Sequence, residues 1–341
     1  MKHRGFKNLL ISGLIIFILS ILAGCSGSPT PLLPASPGAR QIYNLILAVF
    51  GVIAVAFVVV EGLLIYAALR FKGKPGEPPP PQFEGNLRFE MIWTSVIALV
   101  LLAIFVISLT VLFSVGYQPA SAGENTANQS IHVQVVGHQW WWEFIYPDFK
   151  FTTANELHAP MNTTVYLDIE SVDVIHSYWV PQLGGKMDAI PGKTNRTWFL
   201  ADAIATYQGE CSEYCGAEHA YMHFDVVIES AEDFQAWAQN QQGIAKPATG
   251  AAVAGEAAFF SSGCPACHTI TGSKAQGKIG PNLTHVAARK VIAGGVLSFT
   301  PQDLARWLAN PQDVKPGAKM PNLNLTPQKI NDLVTYLSTL K

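Results

Sequence analysis

The sequence predicts a multidomain membrane protein built from a two-helix transmembrane hairpin, an all-β sandwich and a small all-α unit. Three observations point there. Hydrophobic residues make up 49% of the 341 residues and charged residues only 13%, a balance that suits a chain partly dissolved in lipid. Two apolar runs, Ile42 to Leu69 and Phe89 to Val115, are each long enough to cross a hydrocarbon core of about 30 Å. After them the pattern changes twice, first to short alternating runs rich in β-branched residues and then to helical periodicity.

The chain opens with "MKHRGFKNLLISGLIIFILSILAGC", which sets Lys2, Arg4 and Lys7 before an apolar stretch from Leu9 to Leu22 and small residues before Cys25. That is the layout of a secretory signal, here residues 1–24. The Leu22-Ala23-Gly24-Cys25 ending resembles the lipobox of bacterial lipoproteins and would make Cys25 the lipid-bearing first residue of the mature chain. An uncleaved third membrane helix is the alternative reading. Residues 25–40, rich in Ser, Pro and Gly, read as an outer tether.

The hairpin occupies residues 41–116. Its first run ends in Arg70-Phe71-Lys72-Gly73-Lys74, cations that mark the cytoplasmic side. The second run therefore returns outward, and everything after Gly116 lies outside. Two carboxylates sit in or beside the spans, Glu61 and, in "FEMIWT", Glu90. A carboxylate at membrane depth is a functional candidate, with a packing contact for Glu61 and an interfacial cap for Glu90 as the plain alternatives.

Residues 131–237 hold short runs such as "IHVQVVGHQWWWEF", "TTVYLDIES", "TNRTWFLA" and "MHFDVVIES", the signature of a β-sandwich, closed by the helical "AEDFQAWAQNQ". Trp140, Trp141 and Trp142 are expected to occupy one strand, so that Trp140 and Trp142 share a face and Trp141 takes the other. Residues 238–253, which overlap "GIAKPATGAAVAG" (residues 243–255), read as a flexible linker that tethers the last unit. That unit, residues 254–341, is helical in "GEAAFFSSGC", "PQDLARWLAN" and "TPQKINDLVTYLSTL". Its last two helices each open with Thr-Pro, an N-cap followed by proline at the first helical position.

Two motifs carry chemistry. In "CPACH" the thiols of Cys264 and Cys267 are spaced to bond haem vinyl groups while His268 ligates the iron. No second cysteine pair follows that would make a zinc site. The remaining axial position falls to Met320, the one methionine after His268, with His285 as the competitor; a thioether there raises the potential. The second motif is "GECSEYCGAEHAYMHF", which gathers Cys211, Cys215, His219 and Met222, with His176 on an earlier strand. Thiolates, imidazoles and a thioether form a soft set suited to copper. Two thiolates on one loop can bridge two copper ions, with one histidine for each. A Cys211–Cys215 disulfide is the other reading, and the compartment permits it. It leaves the histidines and the methionine unexplained. The five cysteines divide instead into one lipid site, two copper ligands and two haem attachments.

The pattern C-S-E-Y-C-G-x-x-H-x-x-M, with "DVIHSYWVPQLGGKMDAIPG" and "GHQWWWEF", resembles subunit II of haem-copper cytochrome c oxidase over residues 41–230. The tail, with "GPNLTHV" and the Met-Pro pair, resembles a class I cytochrome c domain, as in the caa-type branch. The resemblance implies a cupredoxin domain with a dinuclear CuA centre. Its ligands would be His176, Cys211, Cys215, His219, Met222 and the backbone carbonyl of Glu213, whose carboxylate would reach a magnesium or manganese ion at the boundary with subunit I. It also implies a covalent haem c, Trp140 as the aromatic where electrons come in, Glu90 at the mouth of a proton path, and His223 as an ordinary strand residue. The expected partners are subunit I, which reduces O2 to water and pumps protons, subunit III, and an external cytochrome c or other periplasmic donor. The tethered haem would be the first electron acceptor and CuA the second.

A net charge of -2 and the lack of any basic tract exclude a nucleic-acid partner. Two other functions share features of the chain. Nitrous oxide reductase has the same copper motif, but it is soluble and carries a histidine-rich cluster that nine scattered histidines do not suggest. A quinol oxidase subunit II keeps the cupredoxin domain as structure only and lacks the copper cysteines present here.

Overall fold

The computed structural model describes residues 29–73, 84–116 and 130–341, with residues 13, 76, 78 and 82 as isolated positions. The signal segment and Cys25 lie outside the described residues.

Two long helices, α1 (Pro37–Arg70) and α2 (Leu87–Gly116), each contain an 18-residue apolar stretch, of mean hydropathy 2.7 and 3.2. At 1.5 Å per residue they run about 50 and 45 Å, more than a bilayer core requires. They are antiparallel, since Ser114 near the end of α2 hydrogen-bonds Gln41 near the start of α1. Ser36 starts α1, its hydroxyl accepting from Ala39 N at 2.9 Å with Pro37 in the first turn. The same hydroxyl donates to Leu183 O at 2.7 Å, Ala35 N donates to Gln182 O at 2.8 Å, and Arg40 pairs with Asp202. One helix cap thus also fastens the hairpin to the β domain. Glu61 is exposed midway along α1, and Glu90 is half-buried in the first turn of α2.

The β domain is a sandwich of two five-stranded sheets. One is ordered β3 (Phe151–Ala154), β2 (Trp141–Tyr146), β1 (Ser130–His138), β5 (Thr164–Ser171) and β8 (Asn195–Leu200). The other is ordered β4 (Glu156–Pro160), β10 (His223–Glu229), β9 (Ala205–Cys211), β6 (His176–Trp179) and β7 (Met187–Ala189). Alternate residues of β5 are buried along its whole length, the period expected of a strand with one face in the core. Trp142, Phe144, Leu167, Ile169, Tyr178 and Phe224 fill the space between the sheets. Helix α3 (Ala231–Gln241), capped by Ser230, closes one end by packing Phe234 and Trp237 against Tyr146, Phe149 and Phe151.

The C-terminal unit has its own core. Helices α4 (Ala252–Ser261), α5 (Pro301–Ala309), α6 (Pro311–Val314) and α7 (Pro327–Leu337) surround it, and Thr300 and Thr326 cap α5 and α7 as the Thr-Pro pairs indicate. A hairpin of β11 (Val291–Ile292) and β12 (Leu297–Ser298) is added to the helices.

Three details depart from the sequence reading. Trp140 is not on a strand: it falls in the turn between β1 and β2, so face-sharing with Trp142 does not apply to it. Trp142 is core, while Trp141 stacks on His138 at 4.1 Å. The segment read as a linker, residues 238–253, contains the end of α3 and the start of α4. Nor is the stretch between those helices free chain. Gln242 donates to Phe149 O at 2.9 Å, Ala245 N donates to Thr271 O at 2.9 Å, and Ala245 and Ala248 pack on the helical core. Small side chains, which suggested flexibility, here allow the chain to lie close against the domain it joins.

Helix α4 crosses α7 at Gly255, where a Cβ would stand 2.0 Å from Asp332 O and 2.5 Å from the Tyr336 Cβ. Gly255→Ala is expected to destabilise the helical domain by about 1–3 kcal/mol, the usual cost of overpacking. Faster hydrogen exchange of α7 amides in the full chain would register it.

Candidate functional site

The loop from Cys211 at the end of β9 to His223 at the start of β10 is closed by its own backbone, Cys211 N donating to Met222 O at 3.0 Å. Antiparallel pairing of β6 with β9 aligns Tyr178 with Cys211 and brings the first residue of β6, His176, beside the loop. The sulfurs of Cys211 and Cys215 are 3.7 Å apart. That excludes a disulfide, whose bond is about 2.05 Å long. His176 Nδ1 lies 3.9 Å from the Cys211 sulfur, and His219 Nδ1 lies 3.7 Å from the Cys215 sulfur. The Met222 sulfur is 3.8 Å from Cys215, and Glu213 O is 3.3 Å from Cys211. The structure therefore brings together all six donors that the sequence singles out. Each sulfur has one imidazole nitrogen within 4 Å, a soft donor set of the kind that would suit copper.

Electrostatics suit a cation. The Cys211 thiol is pushed far below its usual range by the hydrogen bond with Cys215, which burial opposes and His176 assists; the ionised sulfur is the one that binds metal. Asp173 accepts from His176 Nε2 at 2.8 Å, fixing the ring so that Nδ1 faces the sulfurs. Burial works to raise the Asp173 carboxyl, but hydrogen bonds from His176 and the amides of Gln139 and Val174 hold it below the carboxylate range. Gly137 makes room for this arrangement, since a Cβ there would stand 2.8 Å from His176 Cδ2.

The second centre is a cavity in the helical unit, walled by Cys264, Cys267, His268, Met320, Leu304 and Trp307. Its lining, two cysteines, a histidine and a methionine among apolar side chains, suits a macrocycle attached through thiols. A Cβ on Gly280 would come within 2.6 Å of the His268 ring. His268 donates from Nδ1 to Pro281 O at 2.8 Å, which leaves Nε2 free to ligate. Burial lowers the His268 pKa, keeping the imidazole neutral as a ligand must be. His285, the competitor to Met320, does not line the cavity: its two ring nitrogens face Lys341 O at 2.9 Å and Gly243 O at 3.2 Å. The donor set and the cavity both fit a covalent haem.

Trp140 belongs to both centres. Its indole N–H donates to Cys215 O at 3.0 Å, and the residue also lines the cavity of the helical unit. Gln139 Nε2 donates to the same carbonyl at 2.8 Å. Gly216, at φ +117°, passes under the indole, where a Cβ would lie 3.0 Å from Trp140 Cζ2.

Glu213 is exposed, and Glu61 and Glu90 are remote on the hairpin. Sequence reasoning missed Asp173, Lys315 and Lys319. Asp173 had a local signal, a carboxylate three residues before His176. Lys315 had none: its ammonium reaches Trp140 O at 3.0 Å from 175 residues away.

Comparisons with known proteins cover most of the chain. Residues 33–111 match the model for the transmembrane domain of cytochrome c oxidase subunit II, residues 150–231 that for its periplasmic domain, and residues 252–341 that for cytochrome c. Cytochrome c oxidase subunit 2 of Alkalihalophilus pseudofirmus is 34% identical over 95% of this chain and 95% of its own length. The protein of the same name from Bacillus sp. strain PS3 is 34% identical over 99% of both, and that from Bacillus subtilis 32% identical over 96% of both.

Gly137→Ala is expected to displace His176 and weaken copper binding by about 10–100-fold, the usual effect of disturbing ligand orientation. A competitive chelator titration would measure it; unchanged affinity would mean that His176 tolerates the shift.

Proposed function

Because the chain belongs to the cytochrome c oxidase subunit II family, we propose that it is the electron-accepting subunit of an aerobic respiratory oxidase, taking electrons from an external donor at its helical domain and passing them through its β domain to subunit I. Members of this family are part of the terminal oxidase enzyme and work beside subunit I. A cytochrome c domain implies a haem, and the subunit II periplasmic domain implies a CuA centre. Two candidate spans followed by a periplasmic domain make this a membrane protein with its soluble domains on the outer face.

In this reading His176, Cys211, Cys215, His219, Met222 and Glu213 O hold a pair of copper ions. Cys264 and Cys267 would attach the haem, while His268 and Met320 would ligate its iron. These groups, when bound, supply one-electron redox chemistry. The chain's own contribution is to fix every donor in place, so that a change of charge moves few atoms. The single observation that carries the reading is Trp140, hydrogen-bonded to the Cys215 carbonyl and lining the haem-binding cavity. Oxygen reduction and proton pumping would fall to subunit I, with subunit III beside it and a cytochrome c or similar periplasmic protein as donor. The exposed Glu213 carboxylate would reach a magnesium or manganese ion at the boundary with subunit I, Glu90 would open a proton path, and Cys25 would carry the lipid.

The purified full chain, loaded with copper and haem, is expected to hold two coppers and one covalent haem and to give the EPR spectrum of an electron shared between two coppers. One copper with a mononuclear blue signal would overturn the assignment. Met320→His is expected to keep the haem attached through Cys264 and Cys267 and to lower its potential, imidazole replacing a soft sulfur. A redox titration that finds the potential unchanged would remove Met320 from the iron.

A further inference from the structure

The face that the helical domain presents to the β domain is unusual in what it buries. Lys315 is 3% exposed and donates to Trp140 O at 3.0 Å, with Ala293 O at 3.4 Å. Its other neighbour is the Glu218 carboxylate at 3.9 Å. Glu218 is 0% exposed, and neither of its oxygens has a hydrogen-bond partner among the described residues. On the opposite flank the roles reverse. Glu156 of the β domain, 4% exposed, accepts from the backbone amides of Lys290 and Val291 at 2.6 and 3.2 Å.

Between these flanks the two backbones touch. His223 N donates to Gly294 O at 3.0 Å. A Cβ on Gly294 would lie 3.0 Å from Tyr221 O and 3.1 Å from Trp140 O, and one on Gly295 would lie 2.9 Å from the His223 Cβ. Outside the buried contacts, Lys319 pairs with Asp173 at 3.6 Å and sits 5.9 Å from the centre of the Trp140 ring.

We propose that Lys315 and Glu156 are the two jaws of a clasp that keeps the helical domain seated on the Trp140 face of the β domain, reserving that face for the chain's own haem domain and closing it to other electron carriers. A transient contact between charged surfaces keeps its charges at a wet rim, where they steer an encounter and then let go. Here the charges are buried and complementary in direction, a cation on a carbonyl at one flank and a carboxylate on amides at the other. Each departure would have to rehydrate them and each return to strip them again. Removing one jaw leaves the buried Glu218 carboxylate without its neighbouring cation, or the Lys290 and Val291 amides without their carboxylate acceptor, and the domains relieve that by parting. Lys315 and Glu156 are positioning residues, since neither is among the proposed ligands. The clasp rests on the contacts alone; its consequence for electron carriers rests on the proposed function.

Hydrogen exchange and hydroxyl-radical footprinting of the full chain in detergent test the clasp without any electron transfer. The His223, Lys290 and Val291 amides and the Trp140 ring are expected to be protected in the wild type. Lys315→Met should raise exchange and Trp140 oxidation by at least about tenfold, a local opening distinct from global unfolding, and Glu156→Gln should raise them less. Amides of Leu333–Leu337 in α7 and of β5 report whether each domain stays folded. The two jaws belong to different domains, so if one variant unfolds its own domain the other still decides. A Trp140 that reacts in the wild type as fast as an exposed indole, or protection unchanged in the folded variants, would overturn the proposal.

Discussion

The indole N–H of Trp140 donates to the carbonyl of Cys215, and the joining of the two outer domains is arranged around that bond. It requires a turn, not a strand, at the start of β2, so that the side chain leaves the sandwich and lies over the loop from Cys211 to His223. It also requires Gly216 beneath it, because a side chain there would lift the ring. The carbonyl of Trp140 itself is then left facing outward at the domain boundary, where the Lys315 ammonium meets it. One residue thus carries a hydrogen bond to each candidate centre's own domain. Its ring occupies the space between them.

The remaining constraints follow from burial. A loop with two thiols, two imidazoles and a thioether has few bonds of its own, so its shape is imposed by its ends and its floor. The ends are tied by the bond between Cys211 N and Met222 O. The floor is the aromatic core, with the Trp142 ring edge-on to His176 at 5.9 Å. At the other end of the sandwich, Ser36 both caps the first membrane helix and bonds Leu183 O. The loop of Cys211 and Cys215 is thereby held by a sandwich that is joined to helix α1 through Ala35, Ser36 and Arg40.

Legibility in the sequence followed the range of the interaction. The spans, the strands, the Thr-Pro helix starts and the spacing of Cys211, Cys215, His219 and Met222 are local patterns, and they were readable because each depends on residues a few positions apart. Met320, expected by elimination, lines the cavity of the helical unit, and His285 is committed to backbone carbonyls. The domain boundary was not readable. Small residues in the linker suggested freedom, yet the same smallness lets Ala245 and Ala248 pack closely. Gly294 and Gly295, which no motif singles out, are points of contact between domains. Lys315 and Glu156 meet partners more than a hundred positions away, and no periodicity reports that.

The central claim is that the two outer domains form one seated unit and not two modules on a tether. Its most direct test is the distance between the bound copper pair and the haem iron in the full chain, measured in frozen solution from the enhancement of copper spin relaxation by the ferric haem. A seated pair gives a single narrow distance that does not change with the length of equilibration or the viscosity before freezing. A broad distribution, or one that shifts with those conditions, would contradict the account and restore the tethered picture.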